Sequence, residues 1–140
     1  MKKRIIALGL LWCLSAVMLQ AARVDTVLVR SAAMNKDVKV VYVLPDKAIG
    51  KQACPVVFLL HGYGGNARSW VQLKPELPQM ADEKGIIFVC PDGKNSWYWD
   101  SPENPAYRYE TFVTSELVKY TDGNYATIPD RKARAISGLS

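Results

Sequence analysis

Two short segments, Val56-Val57-Phe58-Leu59-Leu60 and Ile86-Ile87-Phe88-Val89-Cys90, constrain this chain more than anything else in it. Each is apolar at every position, so neither alternates as a half-exposed strand does. Strands that read this way are covered on both faces, which is the environment of a central parallel strand. Between them lies a segment broken by Pro75 and Pro78. It reads as one short helix starting near Ala67 under an Asn66 cap, and another ending near Lys84 with Gly85 as its stop.

The flanking segments extend this pattern. Val24 to Arg30 and Asp37 to Leu44 read as strands around an Asn35-Lys36 turn, with Val38, Val40, Tyr42 and Leu44 on one face. They predict an antiparallel hairpin. Pro45 to Lys51 reads as a polar loop. A helix is expected from about Tyr107 to Tyr120, with Pro105 in its first turn and Asp122-Gly123-Asn124 ending it. Tyr109, Phe112, Val113, Leu117 and Tyr120 recur at helical spacing along it. Lys132 to Ser137 forms a last strand. Strands alternating with helices predict a parallel sheet covered on both sides.

The N-terminus reads as an export signal. Lys2, Lys3 and Arg4 precede the uncharged apolar run Ile5 to Leu19, and small residues follow at Ala21 and Ala22. That run falls short of the roughly 20 residues that span a bilayer, so cleavage rather than a stable membrane anchor is expected. The 18 basic and 13 acidic residues of the whole chain include three basic ones in this leader, which leaves +2 for residues 23–140. The charges are mixed, and no basic stripe suggests nucleic acid. Arg131, Lys132 and Arg134 make a tight basic cluster that a solvated strand edge explains at least as well as a ligand does.

Cys54 precedes one apolar strand and Cys90 ends the next, so parallel neighbours would hold them at opposite ends of the sheet. A five-residue strand spans about 17 Å, and a disulfide needs Cα atoms within roughly 7 Å. Two buried thiols are expected. No Cys/His cluster has metal-ligand spacing, and no metal is expected.

Two glycine turns carry the chemistry. His61-Gly62-Tyr63-Gly64-Gly65 follows a buried strand and precedes a helix, without the spacing of a phosphate loop. Such a turn lets a substrate carbonyl approach the backbone, with the Tyr63 N–H as the oxyanion donor. Gly138-Leu139-Ser140 follows another strand and forms the front half of a Gly-x-Ser-x-Gly elbow, which makes Ser140 the candidate nucleophile. By itself the pattern also fits an ordinary turn serine. His61 is not expected to be its base, because the triad order in such hydrolases is serine, acid, histidine. It is expected to bond locally and shape the loop. Asp92 and Asp100 precede the serine too, and Asp92 reads as turn chemistry. Trp97 and Tyr98, in the loop after a parallel strand, either wall a site for an acyl or sugar group or cover the core.

Four segments in this order resemble a known family: Leu60 to Gly65; Pro91-Asp92-Gly93 with Ser96-Trp97-Tyr98; Tyr109-Glu110-Thr111-Phe112 to Ser115-Glu116-Leu117; and Ile136 to Ser140. The chain is similar to the esterase family of α/β-hydrolases. That family includes S-formylglutathione hydrolase, tributyrin-type esterases, feruloyl and acetylxylan esterases, and the secreted mycolyltransferases. The resemblance implies the N-terminal half of an α/β-hydrolase fold, a hairpin followed by parallel strands with covering helices. Residues 1–22 would be the signal peptide and 23–140 a truncated domain ending at the nucleophile elbow. It further implies Ser140 as nucleophile and Tyr63 as backbone oxyanion donor. His61, Gly62, Gly64, Trp97 and Tyr98 would line the substrate site, and no cofactor would be used. The family's acid, its base and a second oxyanion donor would follow Ser140, so the chain is expected to be inactive alone. The expected substrate is a small-molecule or carbohydrate-linked ester outside the cytoplasm. The competing expectation is a non-catalytic, secreted module that binds carbohydrate or acyl groups.

Overall fold

The computed structural model describes residues 22–140, so the expected signal segment lies outside the described residues. Strands β1 (Arg23–Ser31) and β2 (Lys36–Leu44) form an antiparallel hairpin. Asn35, in the turn, takes φ 52°, a conformation that asparagine tolerates better than most residues. The apolar segments become β3 (Val56–Leu60) and β4 (Ile87–Pro91), which pair in parallel. β5 (Arg134–Gly138) pairs in parallel with the other side of β3. The sheet order is β1-β2-β4-β3-β5, with β2 and β4 antiparallel.

This order explains the burial. Val38, Val40, Tyr42 and Leu44 face one layer, as their alternation predicts. Val41 and Val43 face the opposite layer and are equally buried, because β2 lies inside the sheet between β1 and β4. The first layer is closed by the helix carrying Tyr109, Phe112, Val113 and Leu117. The second is closed by Ala67, Leu77 and Ala81. Cys54 belongs to the first layer and Cys90 to the second, so the sheet separates two free thiols.

Several boundaries differ from the sequence reading. Pro45–Lys51 is not a simple loop: α1 (Asp46–Ile49) winds one turn there and buries Ala48. Helix α2 (Ser69–Leu73) starts two residues after Ala67. Asn66 does not cap it, because its Oδ1 accepts from Arg68 N at 2.8 Å and closes a local turn instead. Helix α3 (Leu77–Lys84) ends as expected at Gly85, in the left-handed region at φ 64°.

The long helix begins at Tyr109 rather than Tyr107, and Pro105 lies outside it. α4 (Tyr109–Thr111) runs into a π-helical turn (Phe112–Glu116) and then α5 (Leu117–Asn124). Asp100 sets the start by accepting from Thr111 N at 3.0 Å and Thr111 Oγ1 at 2.5 Å. The end runs through Gly123 because Asp122 is held from outside the helix by Thr127 Oγ1 at 2.7 Å and by Arg134. That pairing also engages one member of the basic cluster. Arg131 and Lys132 fall in a 3₁₀ turn (Arg131–Ala133) rather than in the last strand.

Candidate active site

The carboxyl ends of the parallel strands β3, β4 and β5 lie side by side, and the loops leaving them meet there. β5 aligns Gly138 with Leu60, and Leu139 N donates to Leu60 O at 3.1 Å. The backbone of Ser140 therefore lies against Gly62. A Cβ on Gly62 would come within 2.7 Å of the Ser140 carbonyl oxygen, so only glycine fits. A solvent-open cleft with about 610 Å³ of empty space results. It is lined by His61, Gly62, Tyr63, Trp97, Tyr98 and Ser140, among others. Two turns that are 78 residues apart in sequence thus share one site.

His61 is 2 % exposed, and both ring nitrogens are engaged. Gly93 N donates to Nε2 at 2.9 Å. Since a backbone amide can only donate, Nε2 carries no proton. The ring's proton is on Nδ1, which donates to Gly62 O at 2.7 Å. Asp92 Oδ1 lies 3.6 Å from Nε2, beyond hydrogen-bond distance. This buried carboxylate is held instead by Lys94, through its amide at 2.9 Å and its ammonium at 3.2 Å. With both nitrogens bonded to backbone groups, the ring has no free lone pair to offer Ser140.

Tyr98 sits half-buried behind the same loop. Its hydroxyl accepts from His61 N at 2.9 Å and donates to His61 O at 3.3 Å. The ring occupies the space where Gly93 lacks a side chain; any Cβ there would collide with it. Burial pushes its phenol up from the ordinary tyrosine value, with the His61 backbone bond acting in the opposite direction. Trp97 and Tyr98 both lie at φ 55°, and Lys94 at φ 50°. Left-handed backbone costs a non-glycine residue about 1–2 kcal/mol. Such strain persists where surrounding contacts over-determine the loop. Here Ser96 Oγ donates to Gly93 O at 2.5 Å and accepts from Tyr98 N at 3.0 Å.

Tyr63 and Trp97, each 64 % exposed, stack at 5.3 Å with a 25° interplanar angle at the cleft mouth. Within the turn, Gly64 N donates to Asn95 Oδ1 at 2.9 Å and Gly65 N to Gly62 O at 3.0 Å. Among the described residues, the amides of Gly62 and Tyr63 have no protein acceptor. Asn95 and Gly93 carry contacts that no spacing in the sequence announces. Among the described residues, no group of three or more His, Cys, Asp and Glu side chains is placed to hold a metal ion.

The Esterase family model, described as "Putative esterase", matches residues 31–140. An acetyl esterase of Caldicellulosiruptor saccharolyticus is 25 % identical over 118 residues, covering 79 % of this chain and 44 % of that protein. An S-formylglutathione hydrolase from Agrobacterium tumefaciens superposes with a TM-score of 0.74 at 26 % identity, covering 86 % of this chain and 50 % of the other. A ferulic acid esterase gives a TM-score of 0.72 at 27 % identity, covering 86 % of this chain and 51 % of its own. The chain thus spans about half the length of these relatives or less. Its five-stranded mixed sheet with helices is part of an α/β-hydrolase fold. On a match running from Ser31 to Ser140, the chain belongs to the Esterase family.

Proposed function

We propose that this chain carries the nucleophile and the first oxyanion donor of a serine carboxylic-ester hydrolase. The carrying observation is that Ser140 abuts Gly62, beside two amides with no protein acceptor among the described residues. In the proposed reaction, Ser140 Oγ attacks the ester carbonyl carbon and the carbonyl electron pair moves onto oxygen. The Tyr63 N–H stabilises that oxyanion, Gly62 and Gly64 keeping the turn open to it. Collapse expels the alcohol, which takes up the proton lost by serine and leaves an acyl-enzyme that water cleaves by the same steps. His61 is the only histidine of residues 1–140, and its ring is engaged on both sides. Proton transfer then falls to a base outside these residues.

The proposed substrate is a small or carbohydrate-linked carboxylic ester, held against Trp97 and the Tyr98 ring. The basic and apolar leader supports export of the protein. The exposed Tyr63–Trp97 stack also favours a second reading, a non-catalytic module binding sugar or acyl groups. Hydrolysis of p-nitrophenyl acetate by the native polypeptide bearing this sequence separates the two. Ser140→Ala should lower turnover by at least about 10³-fold. Equal rates would overturn the hydrolase reading. Residues 1–140 expressed alone should show no Ser140-dependent turnover, and a Ser140-dependent rate would show that the base lies within them.

A further inference from the structure

We infer that the loop Gly93–Tyr98 is a clasp whose function is to aim the Tyr63 amide, with Tyr98 and Asn95 as positioning residues. The inference rests on the proposed role of that amide. Each end of the His61–Gly65 turn is tied to the same neighbouring loop. At its start, the Tyr98 hydroxyl takes both backbone groups of His61, donating to one and accepting from the other. Gly93 N fixes the His61 ring, whose other nitrogen holds Gly62 O. Toward its end, Asn95 Oδ1 holds Gly64 N at 2.9 Å. These ties, with the Gly65 bond to Gly62 O, engage the amides on both sides of Gly62 and Tyr63. The two amides between them have no protein acceptor among the described residues, and both residues line the cleft.

The clasp is itself held in an unfavourable shape. Three of its six residues, Lys94, Trp97 and Tyr98, have left-handed backbone without being glycine. Simple coverage of the core would not require it. The left-handed pair at Trp97 and Tyr98 belongs to the loop geometry that carries the Tyr98 hydroxyl to His61. The Tyr98 ring reaches there only because Gly93 has no side chain. Tyr98 and His61 thus act on the reaction through the backbone, without touching the reacting atoms.

An amide turned away from a developing oxyanion weakens the transition state while ground-state binding stays nearly constant. Tyr98→Phe removes only the hydroxyl. In the native polypeptide it should lower kcat on p-nitrophenyl acetate about 10- to 100-fold, with KM changed less than about twofold. Asn95→Ala, at an exposed residue, should show the same split with an unchanged melting temperature. This second variant keeps the test open if Tyr98→Phe fails to fold. Unchanged kcat in Asn95→Ala, or a rise in KM alone in either variant, would overturn the clasp. Ser140→Ala in the same assay separates the failures: if it retains activity, the hydrolase reading itself has failed. If it is inactive while both clasp variants keep full kcat, only the clasp has failed.

Discussion

Cys90 illustrates how far a single residue is governed by its place in the sheet. Buried in the layer opposite Cys54, its thiol is pushed up from 9.0 to about 12, because desolvation disfavours the thiolate. The unfolded chain loses this proton at lower pH than the folded one. The thiol's contribution to stability is therefore full below pH 9.0 and is lost as pH rises toward about 12. At about pH 9, iodoacetamide should spare Cys90 in the native protein and alkylate it in urea, as peptide mapping would show. Rapid native labelling would contradict its burial. Its position was readable in the sequence, since an apolar strand ending in Cys90 and another preceded by Cys54 cannot bring the two together. Gly62 was readable too, as a glycine in a strand-to-helix turn. Gly93 and Asn95 were not. Their partners, His61 and Gly64, lie about thirty residues away, and nothing in the pattern Gly-Lys-Asn specifies a distant acceptor or donor.

At the scale of elements, the local pattern identified the buried faces and the ends of β3 and α3, but not the ends of the long helix. The alternation of Val38, Val40, Tyr42 and Leu44 identified one buried face of β2. The burial of Val41 and Val43 depends on β4 pairing alongside, a fact set by topology and absent from the local pattern. The helical face from Tyr109 to Leu117 was legible because 3.6-residue spacing is local. Its limits follow from Asp100 and Asp122, whose partners come from outside the helix or from its first turn. The π-helical turn ends at Glu116, whose carboxylate takes Ser31 Oγ at 2.5 Å and Ala33 N at 2.8 Å and so ties the hairpin turn to the helix. A second tie joins β2 to α5: the Tyr42 hydroxyl and Thr121 Oγ1 lie 2.8 Å apart, fully buried. Tyr42→Phe leaves the Thr121 hydroxyl without that partner. It should lower the unfolding free energy by about 1–2 kcal/mol in urea with an unchanged slope. A smaller loss in Tyr42→Phe combined with Thr121→Val than the sum of the single losses would confirm the coupling. Additive losses would disprove it.

For the whole molecule, the two edges of the sheet differ in kind. β1 carries Arg23, Asp25 and Arg30 along its length, and charge on an edge strand discourages pairing with another chain. β5 presents Ala135, Ile136 and Ser137 to solvent, with Ile136 59 % exposed. Beside it, Phe58, Val113, Val118 and Ile136 line one open groove. The outer edge of β5, which pairs with no further strand among the described residues, lies next to this apolar groove, so it offers both backbone hydrogen bonds and buried area to a second copy, and neither demands a specific partner. Residues 1–140 expressed alone should accordingly self-associate as concentration rises through roughly 10–100 µM, the range in which exposed apolar surface drives aggregation. Ile136→Lys places a charge at the centre of this edge without touching the buried core. It should keep the chain monomeric in sedimentation velocity over the same range. Equal association of both proteins would place the contact elsewhere, and two monomers would show that β5 is protected by means other than charge.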